Sequence, residues 1–305
     1  LNVAVGRDAL RAQNMGSDLD SYNTAVGAIA GTSVTTGINN TFVGGLAGDA
    51  LTDADQNIAI GYAALSADTL GSRSVAIGAN TLIVQNFTTA TNTYNTAVGA
   101  NAGSSVTTGV QNTLVGGLTG DAITTGDNNV SLGYQSLGAN TGSNKNTAIG
   151  ANTLATFNVT TDTDTYNVAL GYSAGTAVTT GINNTLVGAL AGDALTDADY
   201  DVAVGTGALG SDTKGNRSVA IGVNALYAQN FTTSTDSYNT AVGYGAGVAV
   251  TTGIENTLVG SNSGVALIDA DYNVSMGIAS LASDTYGSKS TAIGAYTLFN
   301  QNFTT

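Results

Sequence analysis

Three short acidic segments are the parts of this chain whose residue types and spacing come closest to a chemical site. They are TDADQN at 52–57, TDADYD at 196–201 and IDADYN at 268–273. Carboxylates at alternate positions can begin a calcium-binding loop. Six aspartates are therefore weak candidates for Ca²⁺ ligands: Asp53, Asp55, Asp197, Asp199, Asp269 and Asp271. The loop glycine and the distal glutamate of such a site are missing, so solvated acidic turns are the alternative and we predict no metal.

The composition argues against catalysis. The 305 residues include no His and no Cys, which removes the commonest general base, the thiolate nucleophile and the usual zinc ligands. We therefore predict that the protein is not an enzyme and needs no cofactor. A net charge of −14 argues against nucleic acid or an anionic membrane as a partner, because both attract Lys and Arg.

A repeated five-residue phrase dominates the chain. Any site must therefore be positioned by the structure that this repeat forms. NTAVG stands at 23–27, 95–99 and 239–243, and close variants fill the intervals. The closing glycine occurs 17 times, and its position advances by 21, 17, 17 and 17 before the same four steps recur, which gives a super-period of four coils. A regular repeat length of this kind is typical of a stack of similar coils. Because both ends fall inside a copy, we interpret 1–305 as a single repetitive domain from a longer chain.

Each phrase has the pattern of a short β-strand, and we number its five positions as slots one to five. Slot two is always β-branched, and slot four is always Val, Ile, Leu or Met. Because side chains two residues apart share a strand face, we predict that slot four forms a continuous core column. Its members are Val5, Val26, Val43, Ile60, Ile77, Val98, Val115, Leu132, Ile149, Leu170, Val187, Val204, Ile221, Val242, Val259, Met276 and Ile293. The expected fold is all-β, a parallel β-solenoid or β-roll of about 17 coils.

Slot three should then face away from the core. It is Ala or Ser in 13 of the 17 copies, and small residues let another backbone approach closely. We therefore predict a self-association surface there, with a monomeric solenoid as the alternative. Four exceptions occur once in each super-period and are interpreted as interchain plugs on a symmetry axis: Phe42, Leu114, Leu186 and Leu258.

Other recurring positions of the repeat also predict structural features. Slot one is Asn in 13 of the 17 copies, which predicts a hydrogen-bonded ladder. The residue four positions after the closing glycine is either Leu or Gly. Where it is Gly, an aliphatic residue follows three positions later. This exchange predicts one further apolar plug per coil. The longer intervals should form surface loops at 86–95, 158–167 and 230–239.

Charged and aromatic side chains also recur at fixed positions. Arg73, Arg217 and Lys289 each follow an aspartate by five residues, which predicts either exposed ion pairs or an interchain lock. Four tyrosines recur at intervals of one super-period, each directly before slot one. These tyrosines are expected to pack under the long corner rather than to bind a glycan: Tyr22, Tyr94, Tyr166 and Tyr238.

The phrases SVAIG (74–78, 218–222), NTAIG (146–150) and NTAVG resemble the head repeat of trimeric autotransporter adhesins. That resemblance implies a left-handed parallel β-roll that assembles as an obligate homotrimer. The repeats are also similar to those of long fibre proteins of tailed bacteriophages, notably marine ones. The resemblance covers essentially the whole chain.

From the repeat and the resemblance we predict the structural shaft of a bacteriophage tail or capsid fibre, a rigid spacer for host attachment on the virion surface. Its partners would be further copies of itself in a homotrimer and other virion or fibre proteins at its ends. A host receptor would bind only through a tip outside this sequence. The alternative is the extracellular head or stalk of a bacterial surface adhesin. A carbohydrate-active β-solenoid enzyme is a further alternative, against which the uninterrupted repeat argues.

Overall fold

A computed structural model of the protein describes residues 1–16 and 20–304. These residues contain no α-helix. Seventeen three-residue strands, one for each copy of the phrase, run parallel and stack as a β-solenoid of about 17 turns. The all-β solenoid predicted from the repeat is therefore confirmed.

The chain divides into two compact units, Leu1–Asn146 with Asn158–Asp164, and Thr147–Phe157 with Thr165–Thr305. The first unit contains the long strands β1 (Val3–Val5), β2 (Thr24–Val26), β3 (Thr41–Val43), β4 (Ile58–Ile60), β6 (Val75–Ile77), β8 (Thr96–Val98), β9 (Thr113–Val115) and β10 (Val130–Leu132). The second contains β12 (Thr147–Ile149), β14 (Val168–Leu170), β15 (Thr185–Val187), β16 (Val202–Val204), β18 (Val219–Ile221), β20 (Thr240–Val242), β21 (Thr257–Val259), β22 (Val274–Met276) and β23 (Thr291–Ile293). That 1–305 folds as one domain stays a prediction.

Neighbouring strands pair without an offset, so each slot stacks on the same slot of the next coil. Ala25 of β2 lies opposite Phe42 of β3, and Ala203 of β16 lies opposite Ala220 of β18. Hydrogen-bonded strands lie about 4.8 Å apart. Each kind of side chain therefore forms a column with one member per coil.

The strand face that points into the coil is slot three, which corrects the sequence prediction. Ala25 and Ala203 are fully buried, whereas Val26 and Leu170 are 37% and 43% exposed. Every member of the predicted core column is half-buried or exposed, so this column lies on the outer face of the sheet. The alternation of a strand shows which slots share a face but not which face is inside. Small slot-three residues suit the inner face because they leave room for the larger plugs.

The four residues predicted to be interchain plugs are also placed differently, because each is fully buried inside its own chain. A Cβ atom added to Gly31 or Gly48 would lie 2.6 or 2.4 Å from ring atoms of Phe42. Likewise, a Cβ on Gly175 would lie 2.7 Å from Leu186 Cδ1. A large slot-three residue therefore fills the space left where successive coils carry Gly instead of Leu. Phe42, Leu114, Leu186 and Leu258 are core residues of single coils.

The second set of apolar plugs is buried as predicted. These side chains enter the core from two alternative positions, either directly from Leu or, where Gly replaces it, three residues later. The fully buried members are Val34, Leu51, Leu65, Leu82, Val106, Ile123, Leu137, Leu154, Val178, Leu195, Leu209, Leu226, Val250, Leu267 and Leu281. They pack against the slot-three side chains and complete the core.

The longer intervals between closing glycines form corners that are more ordered than the surface loops we expected. Three pairs of two-residue parallel strands lie there: β5 (Gly71–Ser72) with β7 (Thr91–Asn92), β11 (Ser143–Asn144) with β13 (Thr163–Asp164), and β17 (Gly215–Asn216) with β19 (Thr235–Asp236). In the corner at 86–95, Phe87 and Thr93 are buried, whereas the tip at 88–90 is exposed. The added residues are therefore anchored on both sides of the tip.

Candidate functional surface

Each unit presents a sheet face that no other part of the unit covers, and we call it the outer face. It consists of the slot-two and slot-four side chains of the long strands. Val168 and Leu170 of β14 are 40% and 43% exposed, and Ile221 and Met276 are 38% and 43% exposed. Parallel register places such side chains in adjacent columns, one pair per coil. The slot-four column is apolar in every coil, and contiguous apolar surface marks an interaction site more often than a solvated face.

No charge interrupts the outer face. None of the 17 long strands contains an acidic or basic residue, although the chain carries 21 acidic and 7 basic residues. The charged side chains lie outside these strands, in the turns and corners. The outer face can therefore be covered by apolar surface without burying an ionised group, which would carry a large desolvation cost.

Inside each coil, slot one forms the predicted ladder, with bonds that run mainly from side chain to backbone. The side-chain amide of Asn184 donates to the carbonyl oxygen of Ala198 at 2.7 Å, and its oxygen accepts the backbone N–H of Asp201 at 2.9 Å. Asn184 is fully buried. An amide supplies one acceptor and two donors, so it satisfies polar backbone groups that the core would otherwise leave unpaired. The buried members of the ladder are structural and offer no accessible group for chemistry.

The aspartates five residues before the basic side chains do not pair with them, which corrects that prediction. Asp68 is fully buried and its Oδ1 accepts the backbone N–H groups of Gly71 and Phe87, each at 3.0 Å. Its Oδ2 accepts a hydrogen bond from Gln85 at 2.6 Å. Burial raises the pKa of Asp68, and the hydrogen bonds it accepts oppose that rise. The sequence interpretation missed the Gln85 partner, which lies one coil away.

Lys214 and Arg217 pair with other aspartates on the surface, within one chain, whereas Arg73 donates hydrogen bonds to Gln56 and Tyr94. Arg217 forms an ion pair with Asp236, and Lys214 Nζ lies 3.6 Å from a carboxylate oxygen of Asp197. The side chains of Arg217 and Asp236 are 42% and 40% exposed, so solvent screens the pair. Pairs of this kind contribute about 0–1 kcal/mol.

Two of the four predicted tyrosines, Tyr94 and Tyr238, lie beside basic side chains and are half exposed rather than packed under the long corner. The guanidinium carbon of Arg217 lies 5.4 Å from the ring centroid of Tyr200 and 5.8 Å from that of Tyr238. Arg73 lies 5.4 Å from the ring centroid of Tyr94. These cation–π contacts cover one face of each ring.

The calcium candidates make hydrogen bonds to neighbouring coils. Asp55 accepts the backbone N–H of Ile38 at 2.8 Å, and Asp199 accepts that of Ile182 at 2.7 Å. Asp269 accepts a hydrogen bond from Thr252 at 2.8 Å. Within residues 1–16 and 20–304, no three His, Cys, Asp or Glu side chains come together as a metal-binding group. We assign no ligand role to any of these aspartates.

These features define a class of protein, a β-solenoid repeat protein with a filled core and an apolar outer sheet face. Comparison with protein-family models, with curated proteins and with solved structures found no match to the chain. In the described part of the chain, no helix has the length and apolarity needed to cross a membrane. The function must therefore be argued from the solenoid itself.

Proposed function

We propose that the protein is the structural shaft of a viral fibre, built by self-association of this chain through its outer face. The observation that carries the proposal is the uncharged apolar column that slot four presents in each unit, whose members are half-buried or exposed. Burying such surface contributes about 25 cal/mol per Å². Because every coil repeats the same slots, each additional coil adds the same increment of interface.

A second copy of the chain is the best-fitting occupant of this face. Identical columns have the same spacing of about 4.8 Å per coil, so they match along the whole length of a unit. An unrelated partner would need to supply the same periodicity. The resemblance to adhesin head repeats and phage fibre repeats supports three copies, left-handed winding and a position on the virion surface. In that arrangement the slot-four columns of three chains face a common axis.

Stiffness is the property that this arrangement supplies. Each coil buries its plugs against its neighbours, so that coils are stabilised by stacking rather than singly. A fibre of this kind would hold a receptor-binding tip away from the particle and join other virion or fibre proteins at its ends. The uncharged strands and the uninterrupted repeat favour this role over that of a carbohydrate-active enzyme.

The experiment that tests the proposal is a mass measurement in solution. Light scattering on the purified chain is expected to give three times the chain mass of 30.1 kDa. Ile221→Lys on the outer face should shift that mass towards the monomer, because the interface would then bury an unpaired ammonium. Thr180→Lys, an exposed position in a turn, adds the same charge elsewhere and should leave the mass unchanged. A stable native monomer would refute self-association.

The head or stalk of a bacterial surface adhesin is the second candidate, because the same resemblance supports it. Light scattering does not separate it from a viral fibre, since both are expected to be trimers. Sequencing the gene on both sides of this segment does so. A membrane-anchor domain downstream would favour the adhesin, and a baseplate-attachment domain or an adjacent fibre chaperone would favour the virus.

A further inference from the structure

Asp201 occupies a slot-one position where related turns hold asparagine. The residues at the same place in the other super-periods are Asn57, Asn129 and Asn273. Asp201 is fully buried. Exchange of an amide for a carboxyl group at one rung of an internal ladder changes the number of available donors, which makes this rung chemically distinct.

The equivalent asparagines use both halves of the amide. Asn57 Oδ1 accepts the backbone N–H of Ser74 at 2.8 Å, while its Nδ2 donates to the carbonyl oxygen of Gly71 at 2.9 Å. Asn273 does the same, and donates to the carbonyl of Gly287 at 2.8 Å. The rung therefore requires one acceptor and one donor.

Asp201 reproduces the acceptor half. Its Oδ1 accepts the backbone N–H of Ser218 at 2.7 Å. Its Oδ2 is buried and has no hydrogen-bond partner among the described residues. The carbonyl that corresponds to those of Gly71 and Gly287 is that of Gly215. A carboxylate offers this carbonyl only a second acceptor, whereas a carboxylic acid offers it a donor.

The surrounding charges also favour the protonated form of Asp201. Burial is the main cause that raises the pKa of Asp201 well above its usual range, and the carboxylates of Asp212 and Asp199 add to it. Asp212 has donors of its own, from Gly215, Phe231 and Gln229. The two cations nearest in sequence, Lys214 and Arg217, pair with Asp197 and Asp236 at the surface.

We propose that Asp201 is protonated at neutral pH and donates a hydrogen bond to the carbonyl oxygen of Gly215, which makes this turn a pH-sensitive point in the second unit. The unfolded chain releases this proton near pH 4, and the folded chain retains it to a higher pH. The contribution of Asp201 to stability is therefore full below the unfolded pKa. It falls as pH rises, until the folded Asp201 itself ionises.

Unfolding of the full chain and Asp201→Asn, measured side by side from pH 4 to pH 9, tests this proposal. The unfolding constant of the native chain, divided by that of Asp201→Asn, should rise about tenfold per pH unit until the folded carboxyl ionises. Parallel pH profiles would overturn the proposal. The same pair of proteins identifies the Asp201 side-chain carboxyl carbon by NMR, and a chemical shift typical of carboxylate at pH 7 would also overturn it.

Asn57→Asp provides the converse experiment at an equivalent rung, where Asp68 takes the place of Asp212. This variant should acquire the pH dependence that Asp201→Asn loses. The Asn57→Asp variant also decides the question if Asp201→Asn folds poorly, because a stability profile parallel to that of the native chain would contradict the proposed donor requirement.

Discussion

The side-chain oxygen of Asn40 accepts the backbone N–H of Asn57 at 2.8 Å, one coil further along the chain. Both residues are fully buried. The amide nitrogen of Asn40 donates to the carbonyl of Ala54, also at 2.8 Å. One side chain therefore joins two turns and satisfies two backbone groups, which explains why Asn predominates at slot one.

Asn40→Ala should leave the N–H of Asn57 and the carbonyl of Ala54 without these partners. Each buried unsatisfied group costs about 1–3 kcal/mol, so the free energy of unfolding should fall by a few kcal/mol. Chemical denaturation measures the total loss, and faster hydrogen exchange at the Asn57 amide locates it. Thr36→Ala, at an exposed position nearby, is the control and should cost about 1 kcal/mol or less. Equal losses in the two variants would contradict this account of the ladder.

Phe42 and Val43 are adjacent residues with opposite roles. Phe42 is fully buried and Val43 is 36% exposed. Phe42→Ala should lower the free energy of unfolding by about 3–5 kcal/mol, because it opens a cavity in the core. Val43→Ala should affect the stability of a single chain less and weaken self-association more. Denaturation and light scattering on both variants separate the two effects, and the reverse ranking would restore the original assignment of faces.

Gly44 and Gly45 provide a matched pair in the turn after β3. At Gly44 the φ angle is +136° and an added Cβ would lie 2.5 Å from the carbonyl oxygen of Gly61. At Gly45 the nearest atom would be 3.7 Å away, on the ring of Tyr62. Gly44→Ala should therefore destabilise the chain by more than about 1–3 kcal/mol, because backbone strain adds to the steric clash. Gly45→Ala should be nearly neutral, and thermal denaturation compares the two.

Asp68 and Gln85 should be energetically coupled. Gln85→Met removes a donor to a buried carboxylate, so it should cost more when residue 68 is Asp than after Asp68→Asn. A double-mutant cycle should give a coupling of about 1–3 kcal/mol. The chain carries a related exchange of its own, since Asn140 and Phe157 stand one super-period after Asp68 and Gln85. A coupling near zero would show that the Gln85 donor is dispensable.

The same pair predicts a dependence on pH. Burial already raises the pKa of Asp68, and loss of the Gln85 donor should raise it further. The carboxyl then binds its proton more tightly in the folded chain than in the unfolded chain. The stability deficit of Gln85→Met relative to the native chain should therefore be largest at neutral pH and shrink as the solution is acidified. Denaturation midpoints of both proteins at pH 7 and pH 4 measure the difference.

Much of the architecture could be predicted from the spacing of residues. The glycine count predicts the coils, the alternation in each phrase predicts the strands, and the Leu–Gly exchange predicts a plug that enters from two positions. The slot-one ladder also follows from the sequence, because one amide side chain recurs at the same place in successive coils. These predictions hold since each depends on periodicity, and a stacked coil converts periodicity directly into spatial columns.

The contacts between coils could not be predicted from the sequence and are shown only by the tertiary structure. Alternation along a strand is the same for both faces, so only the closed coil shows that slot three is internal and slot four external. The burial of Phe42 depends on the space beside Gly31 and Gly48, which no spacing along the chain reveals. The ion-pair prediction for Asp68 was wrong, because its true partner Gln85 lies in the next coil. The sequence by itself determined the period and the strand pattern, while packing volume and buried hydrogen bonding decided which side of each strand became the core.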